Sequence, residues 1–443
     1  MKIHFIAIGG AVMHNLAIAL HLKGYQVTGS DDEIFDPSRS RLEKYGLLPD
    51  AWGWFDEKIC PDLDAVILGM HARADNPELL KAKKLGLKIF SFPEYLYEQT
   101  KDKKRVVIAG SHGKTTITSM ILHAMKKAGA GFDYMVGSQI PGFETMVGLA
   151  QNSEIAVFEG DEYLSSPLDT RPKFAHYKPF ITLISGIAWD HMNVYPEYEG
   201  YVKEFLKLAQ DTDSRGSVFY FSGDNELNSL MNESNINADT EGYTSLPYEH
   251  TENGTRIFLD NSYYPVNLIG RYNMENLTGA MLVCEKLGME RHDFLNAMSD
   301  FQGAARRQEL IFESEDLKIF RDFAHAPSKV QATIDGFREF YPDEKITAFL
   351  ELHTFSSLNQ DFLPQYKDSL DKADHAFIYF DPEVVRHKKL PELDPGFVKK
   401  CFGNPEITIL NSPVSLETRV REARQGKGIL LLMSSGNFGG IKI

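Results

Sequence analysis

The chain has 443 residues, of which 43% are hydrophobic and 25% are charged. This length allows two to four domains, and the composition is typical of a globular protein. A net charge of −15 leaves no basic face for nucleic acid or an anionic membrane, so neither is an expected partner. Cys60, Cys284 and Cys401 are scattered and odd in number, which favours a reducing cytoplasm over a disulfide framework.

Short apolar runs alternate with helical patterns, which predicts an α/β protein with parallel sheets. The predicted strands are residues 2–8, 24–31, 65–69, 106–109, 155–159, 180–185, 217–221, 255–259, 318–322, 345–350, 376–380 and 428–433. The clearest helical patterns cover residues 11–23, 117–128 and 276–286. The polar run 98–105 is predicted to be a linker, and residues 301–307 a second boundary. Three domains are therefore expected, at residues 1–104, 105–303 and 304–443.

The first predicted domain opens as a strand, a glycine pair and a helix. Asp31 lies about twenty residues beyond Gly9 and Gly10, where dinucleotide-type folds place a carboxylate for a ribose hydroxyl. The glycine spacing fits G-x-G-x-x-G poorly, so a nucleotide site and ordinary α/β packing both remain open. His71 follows the third strand, at the edge where open sheets bind ligands.

The most informative segment follows the fourth strand, where G-S-H-G-K-T-T occupies residues 110–116. Glycines in such a turn let backbone N–H groups converge on anionic oxygens at the positive end of a helix. Lys114 adds a cation for the β- and γ-phosphates, and the Thr115 hydroxyl can bind Mg²⁺. The loop is two residues shorter than the common phosphate loop, which would need a glycine where Ile108 stands.

Acidic residues and a histidine follow two neighbouring strands. Glu159, with Asp161 and Glu162 as weaker candidates, follows a buried strand and is predicted to bind Mg²⁺; a solvated acidic turn is the alternative. Asp190 and His191 end the next strand, and the imidazole could serve as a metal ligand, a phosphate contact, a base or a packed side chain.

Further candidates lie near the second boundary and in the third domain. Asn273 and Asn276 precede a helix and could cap it, or read the edge of an adenine. Arg306 and Arg307 lie where a moving domain could bring a cation to a phosphate. The ligand edge of the third domain is expected to carry Asp322, His325, His353 and residues 433–440.

These motifs, in this order and spacing, resemble those of the Mur ligases, and the resemblance covers the whole chain. It rests on G-S-H-G-K-T-T at 110–116, E-G-D-E at 159–162, D-H-M at 190–192, G-R-Y-N-M-E-N at 270–276 and D-F-A-H-A-P at 322–327. The resemblance implies a Rossmann-like UDP-binding domain, a central ATPase domain with a phosphate loop, and a Rossmann-like C-terminal domain. It also implies a reaction: ATP phosphorylates the lactyl carboxylate of UDP-N-acetylmuramate, an amine attacks the acyl phosphate, and phosphate leaves.

The resemblance further implies roles for individual residues, with ATP and Mg²⁺ as cofactors. The catalytic residues would be Lys114, His191, Arg307 and His325. The metal ligands would be Thr115, Glu159 and His191. The ATP-binding residues would be Gly110, Ser111, His112, Gly113, Lys114, Thr115, Thr116, Asn276, Arg307 and Asp322. The UDP-substrate contacts would be Gly9, Gly10, Ala11, Val12, Met13, His14, Asp31 and His71.

Three stretches favour the members of the family that add the tripeptide L-alanyl-γ-D-glutamyl-meso-diaminopimelate in peptidoglycan recycling. They are residues 161–177, 322–325 and 433–441. Ligation of free L-alanine in peptidoglycan biosynthesis is the alternative, because Arg321, Ala326 and the residues beside His353 depart from the family pattern where the amine should bind. The expected partners are UDP-N-acetylmuramate and a peptide or amino-acid amine, and we expect a monomer or weak homodimer.

Other functions remain as hypotheses. A folylpolyglutamate-type ligase shares the short phosphate loop but would not need the N-terminal domain with Asp31. A non-catalytic nucleotide-binding regulator predicts loss of Lys114 or of the metal acids, and both are present. A nicotinamide dehydrogenase is motivated only by the weak glycine signal after the first strand.

Overall fold

A computed structural model describes residues 1–189, 194–251 and 254–441. It contains two compact units. The first comprises Met1–Ile187, Glu199–Thr244 and Gly279–Ala297, and the second comprises Ala188–Tyr198, Ser245–Thr278 and Met298–Ile443. Among the described residues, no helix has the length and hydropathy that a membrane span requires.

The first sheet of the first unit is parallel, with strand order β2-β1-β3-β4. Strand β3 is apolar and buried, and β1 is buried beyond Lys2 and apolar there except for His4, as expected when both faces of a parallel sheet are covered. The chain leaves β1 for β2 on one side and returns to β3 on the other, so the loop after β1 lies at a switch point where such sheets bind ligands. The elements are β1 (Lys2–Ile6), α1 (Ala11–Leu22), β2 (Gln26–Ser30), α2 (Ser38–Lys44), β3 (Ala65–Leu68), α3 (Pro77–Lys84), β4 (Ile89–Ser91) and α4 (Phe92–Thr100).

The linker predicted at residues 98–105 is wrong at both ends, because α4 continues to Thr100 and the next strand begins at Lys104. A capping box starts α4: the Glu94 carboxylate accepts a hydrogen bond from the Ser91 backbone N–H at 2.7 Å, and the Ser91 hydroxyl accepts one from the Glu94 N–H at 3.4 Å. These contacts satisfy backbone N–H groups in the first turn of α4. The polar residues at the other end of the helix, Glu98–Thr100, show no apolar pattern from which the helix could be predicted.

The second sheet of the first unit has seven strands in the order β13-β12-β11-β5-β8-β6-β7, all parallel except β7. A two-stranded hairpin, β9 and β10, follows β8. The elements are β5 (Lys104–Ala109), α5 (Lys114–Lys127), β6 (Asp133–Met135), β7 (Val147–Gly148), β8 (Ile155–Glu159), β9 (Leu164–Ser166), β10 (Asp169–Pro172), β11 (Ile181–Ile184), α6 (Tyr198–Gln210), β12 (Ser217–Phe221), α7 (Asn225–Glu233) and β13 (Asp239–Tyr243).

The second unit contains a three-stranded antiparallel sheet and a six-stranded sheet. The larger sheet has the order β17-β18-β22-β19-β20-β21 and is parallel except for β17. The remaining elements are β14 (Tyr248–Thr251), β15 (Gly254–Leu259), β16 (Ser262–Val266), α8 (Arg271–Lys286), α9 (Arg291–Ala297), β17 (Glu309–Glu313), β18 (Leu317–Asp322), α10 (Pro327–Phe340), β19 (Ile346–Glu351), β20 (His375–Tyr379), α11 (Pro382–His387), α12 (Pro395–Phe402), β21 (Thr408–Leu410), α13 (Pro413–Ala423) and β22 (Gly428–Met433). Helix α8 has residues in both units, and α9 lies in the first unit.

The six-stranded sheet of the second unit carries apolar clusters of buried side chains. Val330, Ile334 and Phe337 project from α10 at helical spacing into one cluster, and Leu416 and Val420 project from α13 into the other. The carboxyl ends of β18, β19 and β22 are thereby held at one edge of a rigid sheet.

Candidate active site

The phosphate loop joins β5 to α5 in the predicted conformation. Gly110 has φ +123° and Gly113 has φ +73°, both in the region that favours glycine. A Cβ atom at Gly110 would lie 2.7 Å from the backbone nitrogen of Ser185, on the neighbouring strand end. The Ser111 hydroxyl is buried without a hydrogen-bond partner among the described residues. The loop therefore holds a polar group that an incoming oxyanion could satisfy.

Lys114 begins α5 and is held by an acid from the neighbouring strand. Its Nζ donates to Glu162 Oε2 at 2.9 Å and to the Gly110 carbonyl at 2.8 Å. Burial favours the neutral amine, but the carboxylates of Glu162 and Asp161 outweigh it and hold the pKa of Lys114 above its ordinary value. Lys114 is thus a fixed cation at the phosphate loop. The partnership with Glu162 has no local signal, because the two residues lie 48 positions apart.

Thr115 and Glu159 lie together, as the sequence predicted for a metal site. The Thr115 hydroxyl donates to Glu159 Oε1 at 2.8 Å, and the Gly137 N–H donates to Oε2 at 2.7 Å. Burial and the nearby Asp161 raise the pKa of Glu159, against the lowering effects of the Gly137 N–H and Lys114. A bound cation would offset the cost of keeping the buried Glu159 carboxylate charged.

The oxygen pair of Thr115 and Glu159 fits magnesium. Adjacent ligands in an octahedron with bonds of about 2.1 Å stand about 2.9 Å apart, close to the separation of these two atoms. Both donors are hard oxygen ligands of the kind that Mg²⁺ prefers. Asp190 and His191, the latter predicted as a further metal ligand and catalytic residue, lie outside the described residues.

Gly137 is a site residue that sequence analysis missed. A Cβ atom there would lie 2.8 Å from Glu159 Oε1, so any side chain at this position would displace the carboxylate. The feature that could have identified Gly137 is its position just after β6, a strand that ends at the same edge of the sheet as β8.

The predicted UDP contacts divide into exposed and buried groups. Asp31 accepts hydrogen bonds from the backbone N–H of Gly9 at 2.7 Å and of Asp32 at 3.0 Å, and burial raises the pKa of Asp31 to about 6. His14 is buried, and its Nδ1 lies 2.9 Å from the Gly10 carbonyl. Gly10 is the N-cap residue of α1 and, as a glycine, has no side chain with which to cap the helix.

Of the other predicted UDP contacts, Met13 is buried, Val12 is partly exposed, and Ala11 and His71 are exposed. The side chains of Met13 and His14 are buried within the protein. These two residues would therefore contact a ligand at the glycine turn through their backbone atoms.

A charged cluster joins α4 to the β9–β10 hairpin within the first unit. The Arg171 guanidinium contacts both oxygens of Asp169, with Nη2 at 2.6 Å from Oδ2. His176 Nε2 lies 3.3 Å from Asp169 Oδ2, and its Nδ1 lies 4.0 Å from Glu94 Oε1. Burial lowers the pKa of His176, although both carboxylates act in the opposite direction. Because Arg171 already neutralises Asp169, we interpret this cluster as an ionic contact within the unit.

Among the described residues, four predicted site residues lie in the second unit, where a polar chain connects two of them. Asn276 Nδ2 lies 3.4 Å from Asn273 Oδ1, and Asn273 Nδ2 donates to Gln308 Oε1 at 2.7 Å. The Gln308 N–H then donates to Asp322 Oδ2 at 2.8 Å. Because α8 begins at Arg271, neither asparagine is an N-cap, and that alternative is wrong.

Arg307 and His325 both lie against Phe323, which follows β18. The Arg307 guanidinium stacks 4.6 Å from the Phe323 ring centre, and His325 Nδ1 lies 2.8 Å from the Phe323 carbonyl oxygen. Asp322 also accepts a hydrogen bond from the Ala324 N–H at 2.8 Å. The carboxylate of Asp322 thus accepts two backbone hydrogen bonds and one from the Thr333 hydroxyl at 3.3 Å, and it keeps acceptor capacity for a ribose hydroxyl.

The glycine turn after β22 differs from expectation. Residues 433–440 are expected at the ligand edge, but the Gly436 N–H donates to Ser434 Oγ at 2.7 Å and the Phe438 N–H donates to Glu351 Oε2 at 2.8 Å. The Gly440 N–H donates to the Asn437 carbonyl at 3.0 Å. These three N–H groups are therefore used within the protein, and the turn closes over the buried Glu351 carboxylate.

Comparison with known proteins identifies the family. The sequence matches the Mur ligase middle domain over residues 108–284, and a domain described as Mur ligase family, catalytic domain, over residues 2–104. A UDP-N-acetylmuramate–L-alanine ligase of Caldicellulosiruptor bescii is 30% identical over 412 residues, covering 88% of this chain and 85% of the relative. A UDP-N-acetylmuramate–L-alanyl-gamma-D-glutamyl-meso-2,6-diaminoheptandioate ligase of Escherichia coli is 26% identical over 451 residues, covering 100% and 96%.

Solved structures agree on the fold. A murein peptide ligase of Psychrobacter arcticus has a TM-score of 0.69 at 23% identity, covering 99% of this chain and 97% of that one. A UDP-N-acetylmuramate-alanine ligase of Thermotoga maritima has a TM-score of 0.73 at 21% identity, with the same coverage. The chain belongs to the Mur ligase family. It is an ATP-dependent, ADP-forming amide ligase of peptidoglycan synthesis, and the predicted three-domain α/β fold is confirmed.

Proposed function

We propose that this chain joins the lactyl carboxylate of UDP-N-acetylmuramate to the amine of L-alanyl-γ-D-glutamyl-meso-diaminopimelate, in peptidoglycan recycling in the cytoplasm. The observation that carries the proposal is the phosphate loop with Lys114 and the Thr115–Glu159 oxygen pair at one sheet edge. The match to the tripeptide ligase of Escherichia coli over the whole chain fits this amine, and a match of similar extent to an L-alanine ligase keeps free L-alanine as the second candidate.

A carboxylate is a poor electrophile, so the chemistry requires a leaving group. In the proposed reaction a lactyl carboxylate oxygen attacks the γ-phosphorus of ATP, ADP leaves, and an acyl phosphate forms. The amine then attacks the acyl carbon, loses a proton, and expels inorganic phosphate. Lys114 and the N-terminus of α5 would stabilise the charge that develops on the phosphoryl oxygens.

Thr115 and Glu159 would hold Mg²⁺, which supplies Lewis-acid stabilisation of the transferring phosphoryl group. Asn276 would contact adenine, and Arg307 and Asp322 would contact ATP phosphate and ribose. His325 would lie near the nucleotide and the amine. We retain residues 1–104, 105–303 and 304–443 as the proposed UDP, ATP and amine domains.

The amine is the finer part of the proposal. A tripeptide ending in diaminopimelate brings three carboxylates, whereas L-alanine brings one. The tripeptide therefore needs more cationic partners. The second unit offers Arg321 and Lys329 near the carboxyl end of β18 in sequence, and Arg306 just before β17. Ligation of free L-alanine is the second candidate, because the relative from Caldicellulosiruptor bescii carries that name at 30% identity.

Specificity between amines is measured by kcat/KM. The assay follows phosphate release with ATP, Mg²⁺ and UDP-N-acetylmuramate, and compares L-alanine, L-alanyl-γ-D-glutamate and the tripeptide. We expect kcat/KM to rise with peptide length and to be highest for the tripeptide. A clear preference for free L-alanine would overturn the recycling assignment while leaving the ligase class in place.

A further inference from the structure

Two consecutive acids after β8 each hold a lysine. Glu162 Oε2 lies 2.9 Å from Lys114 Nζ, and Asp161 Oδ2 lies 3.1 Å from Lys173 Nζ. The Cα atoms of neighbouring residues are about 3.8 Å apart, so both ammonium groups are anchored at one strand end beside the phosphate loop. The expected mechanism uses Lys114, whereas Lys173 has no role in it.

Lys173 is held in place by its surroundings. It begins a 3₁₀ turn, Lys173–His176, and its N–H donates to the Tyr163 carbonyl at 2.9 Å. Its Nζ lies 5.3 Å from the ring centre of Phe92 and 5.8 Å from that of Tyr163. Only 15% of the side chain is exposed. A cation fixed in this way is prepared to bind an anion.

We propose that Lys173 binds the reacting carboxylate of the acyl substrate, the lactyl carboxylate in the reaction proposed above, on which this inference rests. A carboxylate oxygen must come within about 3 to 3.5 Å of the γ-phosphorus, which places two anions side by side. Lys114 is committed to the phosphates, so the carboxylate needs a second cation.

Asp161 occupies the place at Lys173 that the substrate carboxylate would take. The Asp161 side chain is 29% exposed, so it can turn into water when the substrate displaces it. The side chain of Glu162, by contrast, is only 1% exposed. Neutralising both lysines in the absence of ligand also avoids leaving a half-buried charge without compensation.

A purely structural role for Lys173 makes a different prediction. If Lys173 only fastened Asp161 to the 3₁₀ turn, its loss would lower the melting temperature and weaken every ligand to a similar extent. If it binds the carboxylate, its loss removes only the part of the affinity that depends on the lactyl group.

The test compares UDP-N-acetylmuramate with UDP-N-acetylglucosamine, which lacks the lactyl carboxylate, by titration calorimetry with Mg²⁺ and a non-hydrolysable ATP analogue. We expect the unaltered protein to prefer the lactyl-bearing ligand by about tenfold to a hundredfold, the usual range for a hydrogen bond to a charged group. Lys173→Gln should lose most of this preference and keep its affinity for the ATP analogue. Lys173→Arg should retain the preference.

Lys178→Gln is the matched control, because Lys178 is exposed on the same segment and its Nζ also lies over an aromatic ring, 5.1 Å from the centre of Tyr97. It should bind both UDP-sugars as the unaltered protein does. The inference is overturned if Lys173→Gln keeps the preference, if it weakens all ligands equally, or if folded Lys173→Arg loses the preference. Absence of any preference in the unaltered protein would instead refute the proposed substrate.

Discussion

Replacing Lys114 by alanine is expected to destabilise the protein as well as to stop turnover. Lys114 Nζ contacts Glu162 at 2.9 Å, and only 13% and 1% of the two side chains are exposed. Removing one partner of a buried ion pair costs about 3 to 5 kcal/mol, because the remaining charge stays desolvated. Since the ammonium is partly exposed, we expect a loss of about 3 kcal/mol in the free energy of unfolding.

A second substitution separates this cost from the catalytic role. Glu162→Gln in the Lys114→Ala background removes the uncompensated charge, so it should restore most of the lost stability without restoring the phosphate-binding cation. The double-mutant cycle should give a coupling energy of about 2 to 3 kcal/mol. Urea unfolding measures the stability of the four proteins, and ADP formation measures their activity.

Two results would refute this reasoning. If Lys114→Ala were as stable as the unaltered protein, the ion pair would contribute nothing to the fold. Near-normal ADP formation by Lys114→Ala would show that the loop does not bind the transferred phosphate. The sequence alone does not reveal this stability cost, because it does not show that Glu162 is the buried partner of Lys114.

Three further predictions concern acids and a glycine of the first unit. Glu159→Gln should raise the Mg²⁺ concentration for half-maximal rate by about 10- to 100-fold, and an unchanged titration would move the ligand role to Asp161. Gly137→Ala should lower kcat by at least about tenfold, because the new Cβ displaces Glu159; an unaltered kcat would argue against a catalytic position for that carboxylate. The pKa of Asp31 is raised to about 6, so the folded state holds a proton that the unfolded chain has lost, and stability should fall as pH rises from about 4 to about 6. Asp31→Asn should remove that slope in melting temperature, and an identical slope in the variant would contradict it.

The sequence predicted the parts of the fold in which burial restricts the choice of residue types. Strands β8, β12 and β22 begin and end at the predicted residues, because a parallel strand covered on both faces is an almost continuous apolar run. The end of α4 was not predicted, because Glu98–Thr100 are polar and give no apolar periodicity. The start of α8 at Arg271 was missed because Asn273 and Asn276 were interpreted as residues that precede the helix.

The site was predictable where one segment contains its chemistry. Lys114 and Thr115 follow a glycine turn, and Glu159 ends an apolar strand, so the local pattern was sufficient. The partners were not predictable, because each comes from a distant segment: Glu162 for Lys114, and Gly137 for Glu159. Such pairs are fixed by sheet order, which a single sequence does not contain.

The most direct test of the central claim is the fate of the carboxylate oxygen. With both oxygens of the lactyl carboxylate of UDP-N-acetylmuramate labelled with ¹⁸O, turnover with ATP, Mg²⁺ and the tripeptide should place one ¹⁸O in the released phosphate and leave the other in the amide. Mass spectrometry of the phosphate and of the peptide product measures both. Unlabelled phosphate formed alongside the amide product would contradict an acyl phosphate, and absence of UDP-N-acetylmuramate-dependent phosphate release with every amine would contradict the proposed substrate.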